Sequence, residues 1–249
     1  MTQGRILAHT RHDDALARRV KEAGGVLDCT DLIVRTVRPA ASIRAAMATP
    51  AQWIVLTSPF TVTALAQSGV NLAETLSTEA LSAGTRLATV GPATTAACEN
   101  HGWRVTLQPE SPRHGGAALD EVFPPVEEFI QANPTHHSTR KHPASTVVIP
   151  GAATSAGTLE PGLVSKGWTV TPVPVYVTEP ASSIDASISA RWHHGEYQAL
   201  YATSPSVVRA VARLLDTSVP VIAIGHTTAA AALDAGFSLL SDHEFSSPS

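Results

Sequence analysis

The sequence contains few of the residues and motifs that mark several large classes of protein. Its two cysteines, Cys29 and Cys98, lie in unrelated segments without a C-x-x-C spacing, so we expect reduced core thiols and no disulfide. No apolar run approaches the roughly 18 residues of a membrane span. The N-terminal segment reaches charged residues too soon for a signal peptide. These absences predict a cytoplasmic protein that does not enter a membrane.

Basic residues and phosphate-binding motifs are also scarce. The 17 Lys and Arg residues are scattered, and with 21 Asp and Glu they leave a net charge of −4. Such a chain has no long-range attraction to nucleic acid. The sequence contains neither G-x-x-x-x-G-K-[ST] nor a G-x-G-x-x-G after a strand, and H-E-x-x-H and G-x-S-x-G are missing too. Nucleotide-dependent transfer and common hydrolase chemistry are therefore unsupported. The pairs at 136–137 and 193–194 favour solvated loop histidines, so no metal site is predicted.

Short apolar runs do recur, and they alternate with Ala-rich segments of helical length. Alternation of this kind predicts an α/β protein with parallel sheets covered by helices on both faces. The predicted strands are 6–9, 26–32, 54–57, 87–90, 105–107, 147–149, 170–177, 199–202, 221–224 and 237–240. The clearest predicted helices are 13–23, 59–67, 92–101 and 227–235, and Pro124–Pro125 should interrupt another.

The chain also repeats itself. "WIVLTSPFTVTALA" at 53–66 resembles "ALYATSPSVVRAVA" at 199–212, and 86–107 resembles 220–240 in the order strand, Gly, Thr-bearing turn, Ala-rich helix, Gly, strand. A fainter pair joins 6–34 to 147–177. Three pairs in the same order predict two homologous halves of like topology.

The repeated turns indicate a binding site for anions. In Thr57-Ser58-Pro59 the serine is a preferred N-cap and the proline suits the first helical position. The helix then presents free amides and a partial positive charge at the carboxyl end of a strand, where parallel sheets bind ligands. The other three turns of this type are Thr203-Ser204-Pro205, Gly91 with Thr94, and Gly225 with Thr227 and Thr228. Each turn alone could equally be a good helix start.

Two further side chains have open alternatives from the residues alone. Arg11 follows the first strand and could reach a carboxylate or lie solvated in a turn. Tyr176 lies in the long strand "VPVYVTEP", where a core tyrosine is the default and a hydroxyl in a cleft the alternative.

The ordered set "TSPFTV", "VGPATTAA", "VPVYVTEP", "TSPSVV" and "IGHTTAAA" resembles the uroporphyrinogen-III synthase family, over nearly the whole chain from "ILAHTR" to about Leu240. The resemblance implies two similar lobes, each a parallel sheet flanked by helices, joined by a two-stranded linker with the cleft between them. One lobe would combine residues 1–37 with 179–249, and the other would be 38–178.

The implied activity is a lyase reaction without a cofactor. Hydroxymethylbilane, a linear tetrapyrrole, would lose its terminal hydroxyl as water and close to uroporphyrinogen III with ring D inverted. The substrate carries acetate and propionate on every ring, which suits sites built from amides and hydroxyls. A cleft that closes on its ligand would suit a monomer, and the bilane could arrive by transient handover from the preceding pathway enzyme.

Residue by residue, the resemblance makes Tyr176 the candidate catalytic acid, a proton donor to the departing hydroxyl. The candidate substrate-binding residues are Thr10, Arg11, Thr57, Ser58, Gly91, Thr94, Gly151, Thr203, Ser204, Gly225, Thr227 and Thr228. Two departures stand out: His226 replaces a common proline, and the turn at 150–157 lacks the arginine or asparagines frequent there. These departures leave an alternative open, a two-lobed sensor that binds a tetrapyrrole or another polycarboxylate without catalysis.

Overall fold

The computed structural model describes residues 4–9, 14–73, 85–110, 114–132, 145–153 and 159–241. The chain separates into two compact units, unit 1 (Met1–Val34 with Glu179–Ser249) and unit 2 (Arg35–Thr178). The bounds implied by the family resemblance are 37/38 and 178/179. Within the described ranges, no helix combines the length and the apolar character needed to cross a membrane.

Helices and strands alternate along most of the chain. In chain order they are β1 (Arg5–Ala8), α1 (Asp14–Glu22), β2 (Val26–Cys29), β3 (Ile33–Val37), α2 (Ala40–Met47), β4 (Trp53–Leu56), α3 (Pro59–Gln67), β5 (Arg86–Thr89), α4 (Pro92–Glu99), α5 (Gly116–Val122), α6 (Val126–Ala132), β6 (Thr146–Ala152), α7 (Leu159–Ser165), β7 (Thr169–Pro180), α8 (Ala186–His193), β8 (Tyr197–Ala202), α9 (Pro205–Leu214), β9 (Val221–Ala223) and α10 (His226–Asp234). This alternation confirms the predicted α/β class.

Unit 1 is built on a parallel sheet of order β2-β1-β8-β9. Successive residues of β1 belong to different cores: Leu7 packs with α8, α9 and α10, whereas Ile6 and Ala8 pack with Val20 of α1. Side chains alternate between the two faces of a strand, so helices on both faces bury every residue of such a strand.

Unit 2 contains the sheet β3-β7-β6-β4-β5, in which β7, β6, β4 and β5 run parallel. In β4, Trp53 and Val55 face one core, while Ile54 and Leu56 face the other. β3 and β7 extend across the bounds of unit 2. Hydrogen bonds from Arg38 N to Val175 O and from Ala181 N to Leu32 O give this pair an antiparallel sense.

The two sheets share one topology. The order β2-β1-β8-β9 matches β7-β6-β4-β5 strand for strand, and each series ends in an isolated parallel bridge, Val221 with Leu239 and Ala88 with Leu107. This correspondence pairs the same segments as the sequence repeat. The structure therefore confirms two halves of like topology.

Several predicted elements differ in detail. The predicted strand 26–32 ends at Cys29 as β2, and β3 of the other sheet begins at Ile33. Between them, Thr30 N donates to Ala8 O and Leu32 N to His9 Nδ1. The predicted strands 105–107 and 237–240 are single bridges. The break at Pro124–Pro125 is confirmed, because α5 ends at Val122 and α6 begins at Val126.

Candidate functional site

The first helix start of unit 2 follows β4. Ser58 is the N-cap of α3, with φ −156° and ψ 140°, and its Oγ accepts a hydrogen bond from Phe60 N at 3.2 Å. Pro59 occupies the first helical position. Pro59 has no amide hydrogen, and Thr61 N donates to Ser58 O at 3.1 Å, so the amides of this first turn are bonded within the turn and the expected free amides are not found at α3. The exposed Thr57 precedes the cap.

The second helix start of unit 2 depends on the absence of a side chain at Gly91. Gly91 caps α4 with φ 163°, an extended conformation open to any residue. A Cβ there would lie only 2.8 Å from the Cβ of His114. Thr94 is 3% exposed, and its amide donates to Gly91 O at 3.1 Å. The glycine therefore provides space for the chain at 114 beside the α4 terminus.

A short relay of hydroxyls anchors α4; the motif "VGPATTAA" contains its central residue, Thr95, but gives no sign of its partners Thr89 and Gln108. Thr95 Oγ1 donates to Gln108 Oε1, so the 2.6 Å contact between the hydroxyls of Thr89 and Thr95 must have Thr89 as its donor. Thr89 ends β5 and is fully buried. The relay links the strand end, the first turn of α4 and the segment after the Leu107 bridge.

The topology of unit 2 brings its predicted residues to one edge. β4, β5, β6 and β7 are parallel neighbours, so their carboxyl ends lie together. Ser58 follows β4, Gly91 follows β5, and Gly151 lies near the end of β6, opposite Pro174. α3 and α4 pack against each other, which brings their amino termini to the same edge.

Tyr176 lies near the carboxyl end of β7, and a shift in the strand register determines which face of the sheet it occupies. Gly151 pairs with Pro174 but Ala152 pairs with Tyr176, so Val175 is an extra residue in β7. Alternation alone would direct Val175 and Tyr176 to opposite faces, yet both belong to the core beneath α3. The Tyr176 ring is 7% exposed and packs edge-on against Phe60, with 4.8 Å between ring centroids.

Unit 1 repeats both helix starts with different chemistry. Ser204 caps α9 in the same extended conformation as Ser58, but its Oγ contacts Ser206 Oγ at 2.9 Å and accepts from no helix amide. Gly225 caps α10 with φ 83° and ψ 157°, a conformation essentially restricted to glycine. Thr203 and Thr227 are exposed, whereas Thr228 is 1% exposed. Thr10 and Arg11 lie outside the described residues.

A polar network lies on β1, β2 and β8 of unit 1. Asp28 accepts hydrogen bonds from Arg5 Nη1 and from the Tyr197 hydroxyl at 2.7 Å, and Arg191 Nε lies 3.3 Å from the same carboxylate. Burial, and then the hydrogen bond to Asp28, raise the pKa of Tyr197 to about 12. This network holds the sheet together at partly buried positions.

An open cavity of about 610 Å³ lies next to this network, between the end of β2 and the start of α8. Its lining includes Asp28, Cys29, Asp185 and Arg191, and none of the predicted turn residues. The expectation of core thiols is wrong for Cys29, which is exposed, and right for Cys98. Burial raises the pKa of the Cys98 thiol to about 12. Within the described ranges, no group of three or more His, Cys, Asp or Glu is placed to hold a metal ion.

Comparisons with known proteins relate this chain to one family. A family model described as uroporphyrinogen-III synthase HemD matches residues 14–246. No curated protein sequence matches the chain significantly. A mutant uroporphyrinogen III synthase from Thermus thermophilus is 17% identical, with 95% of this chain and 90% of that chain covered and a TM-score of 0.57. The corresponding enzyme from Helicobacter pylori is 15% identical, with 96% and 92% covered and a TM-score of 0.56. At these identities the two solved structures show a common fold, and the match over residues 14–246 shows that the chain belongs to the uroporphyrinogen-III synthase family.

Proposed function

We propose that this protein is a uroporphyrinogen-III synthase, which converts hydroxymethylbilane to uroporphyrinogen III and water with inversion of ring D. The family match over residues 14–246 carries this conclusion, and the common fold supports it. No observation favours the non-catalytic sensor.

Substrate binding is assigned to the helix starts of both units. Each carries the partial positive charge of a helix amino terminus at the carboxyl end of a parallel strand, which favours carboxylates. Ser58 and Gly91 lie at one edge in unit 2, and Ser204 and Gly225 hold the equivalent positions in unit 1. The exposed hydroxyls of Thr57, Thr203 and Thr227 are additional donors, and Thr10, Arg11, Thr94, Gly151 and Thr228 complete the proposed binding set.

Tyr176 is assigned the role of proton donor to the departing hydroxyl. Its support is positional: the register shift places it on the α3 face, beside the helix start at Ser58, and the Phe60 ring fixes its orientation. Loss of hydroxide as water leaves a reactive azafulvene on the bilane. The remaining task is to orient ring D so that attack occurs at its substituted carbon, which is catalysis by positioning.

The two compact units are proposed to be the two lobes of the family fold, acting as a monomer in the cytoplasm. The two cysteines, Cys29 and Cys98, lie in different units and suit a reducing compartment. Because the bilane closes to isomer I without an enzyme, a transient handover from the preceding pathway enzyme would limit this side reaction.

The test is to incubate the purified protein with fresh hydroxymethylbilane, oxidise the products and separate the isomers by chromatography. Isomer III above the level without protein is the expected result. Only isomer I from folded protein would refute the proposal.

Tyr176→Phe then tests the acid, because it keeps the ring packing and removes the hydroxyl. We expect kcat to fall about 100-fold or more, the usual minimum contribution of a general acid. Tyr201→Phe is the matched control, since Tyr201 is also 7% exposed but lies on β8 in unit 1. Equal rates for the two variants would remove Tyr176 from the mechanism.

A further inference from the structure

An arginine on β3 stacks on the ring that supports Tyr176. The Arg35 Cζ lies 5.1 Å from the centroid of the Phe60 ring, and the same ring packs against Tyr176 with a centroid distance of 4.8 Å. All three residues belong to unit 2. Arg35, Phe60 and Tyr176 therefore form one continuous stack, here called the Arg35 stack.

The charge of Arg35 is available for a ligand. The side chain is exposed, and among the described residues no carboxylate lies within ion-pair distance of its guanidinium. Three other cations of the described chain are paired with carboxylates: Arg5 and Arg191 with Asp28, and Lys166 with Asp120. Arg35 has an aromatic ring as its contact instead, as does Arg86, which lies over the rings of Trp53 and Phe129.

Stacking on a ring prepares an arginine for bidentate binding. A guanidinium above an aromatic ring keeps its N–H donors free along its edge and loses less side-chain entropy when they bind. Those donors match the two oxygens of a carboxylate. An exposed arginine without this support would have to be ordered at the moment of binding.

The Arg35 stack also adjoins the helix start of α3. Phe60 N donates to Ser58 Oγ, so the ring that carries Arg35 belongs to the first turn of the helix. The partial positive charge of that terminus and the guanidinium act on the same region in the same sense. Together they supply charge to an edge where the turn at 150–157 contains no arginine.

We infer that Arg35 binds a carboxylate of the tetrapyrrole and orients it beside Tyr176. The inference rests on the proposed function for the identity of the ligand. Arg35 takes no part in proton transfer, so its contribution is to substrate affinity and to orientation.

The test compares Arg35→Gln, Arg35→Lys and the wild type for KM, kcat and the ratio of isomer III to isomer I. A charge-assisted hydrogen bond predicts that Arg35→Gln raises KM about 10- to 100-fold with a smaller change in kcat. Arg35→Lys keeps the charge but loses the planar fork, so an intermediate KM is expected. Arg104→Gln is the matched control, because Arg104 is an exposed arginine of the same unit outside the stack.

Equilibrium binding of uroporphyrin III, a stable octacarboxylate, makes the inference independent of turnover. The wild type should bind it about 10- to 100-fold more tightly than Arg35→Gln. Urea unfolding of each variant checks that the fold is intact. KM and uroporphyrin affinity equal to those of Arg104→Gln would overturn the role of Arg35. A different outcome is that Arg35→Gln weakens uroporphyrin binding although the wild type forms no isomer III. That result would refute the synthase activity and still support Arg35 as a carboxylate-binding residue.

Discussion

Replacement of Gly91 by alanine should destabilise the site through one steric contact. The added Cβ would meet His114 Cβ at 2.8 Å, and ordinary van der Waals contact begins at 3.4 Å. The α4 terminus or the segment at His114 must therefore move by about 0.6 Å, the difference between these two distances. Overpacking of this kind typically costs about 1–3 kcal/mol of unfolding free energy. The backbone adds little, because φ of 163° is accessible to alanine.

A second substitution, at His114, should reverse the effect of Gly91→Ala. His114→Gly removes the atom that clashes, whereas His114→Ala keeps it, so only the glycine should restore stability to Gly91→Ala. Equilibrium urea unfolding, followed by the fluorescence of the 4 tryptophans, gives the free energies for a double-mutant cycle. The coupling between positions 91 and 114 should be about 0.5–3 kcal/mol.

Gly225→Ala is the comparison that isolates the cause. No atom lies within 4 Å of a Cβ built at Gly225, but its φ of 83° and ψ of 157° are essentially restricted to glycine. The expected cost is about 1–3 kcal/mol from the backbone alone, and no neighbouring substitution should relieve it. The reasoning would be refuted if Gly91→Ala were as stable as the wild type, or if His114→Ala rescued it as well as His114→Gly.

Two further predictions concern the caps and the polar network. Ser58→Ala should lower the free energy of unfolding by about 1 kcal/mol, because it removes the hydrogen bond that Ser58 Oγ accepts from Phe60 N. Ser204→Ala should lower it by less, because Ser204 Oγ accepts from no helix amide. Equal losses for the two variants in urea unfolding would contradict this. Burial raises the pKa of Tyr197 from 10.0 to about 12, so the protonated tyrosine stabilises the folded state below pH 10 and this stability is lost as pH rises toward 12. The free energy of unfolding should therefore fall less steeply between about pH 8 and about pH 12 in Tyr197→Phe than in the wild type. The same pH dependence in both proteins would argue against this role of Tyr197.

The sequence was sufficient where structure is decided locally. Ser58-Pro59 and Ser204-Pro205 specify helix starts through capping chemistry, and the observed helices begin at those prolines. The repeat predicted the shared topology because the order of strands and helices follows directly from the order of the motifs.

Contacts between distant segments were not readable in this way. The predicted strand 26–32 gives no sign that pairing ends at Cys29, since the hydrogen bonds of Thr30 N and Leu32 N go to Ala8 of β1 and to the side chain of His9. The face of the sheet that Tyr176 occupies depends on a register shift against β6. Arg35 becomes a candidate ligand-binding residue only because its guanidinium lies over the Phe60 ring in the folded chain. Such features depend on pairing across the sheet, which a motif does not encode.

The order of segments in unit 1 has a consequence for synthesis on the ribosome. β1 is a central strand whose neighbours are β2 and β8, so its pairing of Arg5 with Tyr197 waits until at least 197 of the 249 residues have been synthesised. The strands of unit 2 lie in one continuous stretch and are complete earlier. Unit 2 can therefore fold first, while one edge of β1 stays open to wrong partners during translation. A chaperone that shields roughly the first 30 residues of the nascent chain would benefit unit 1 far more than unit 2.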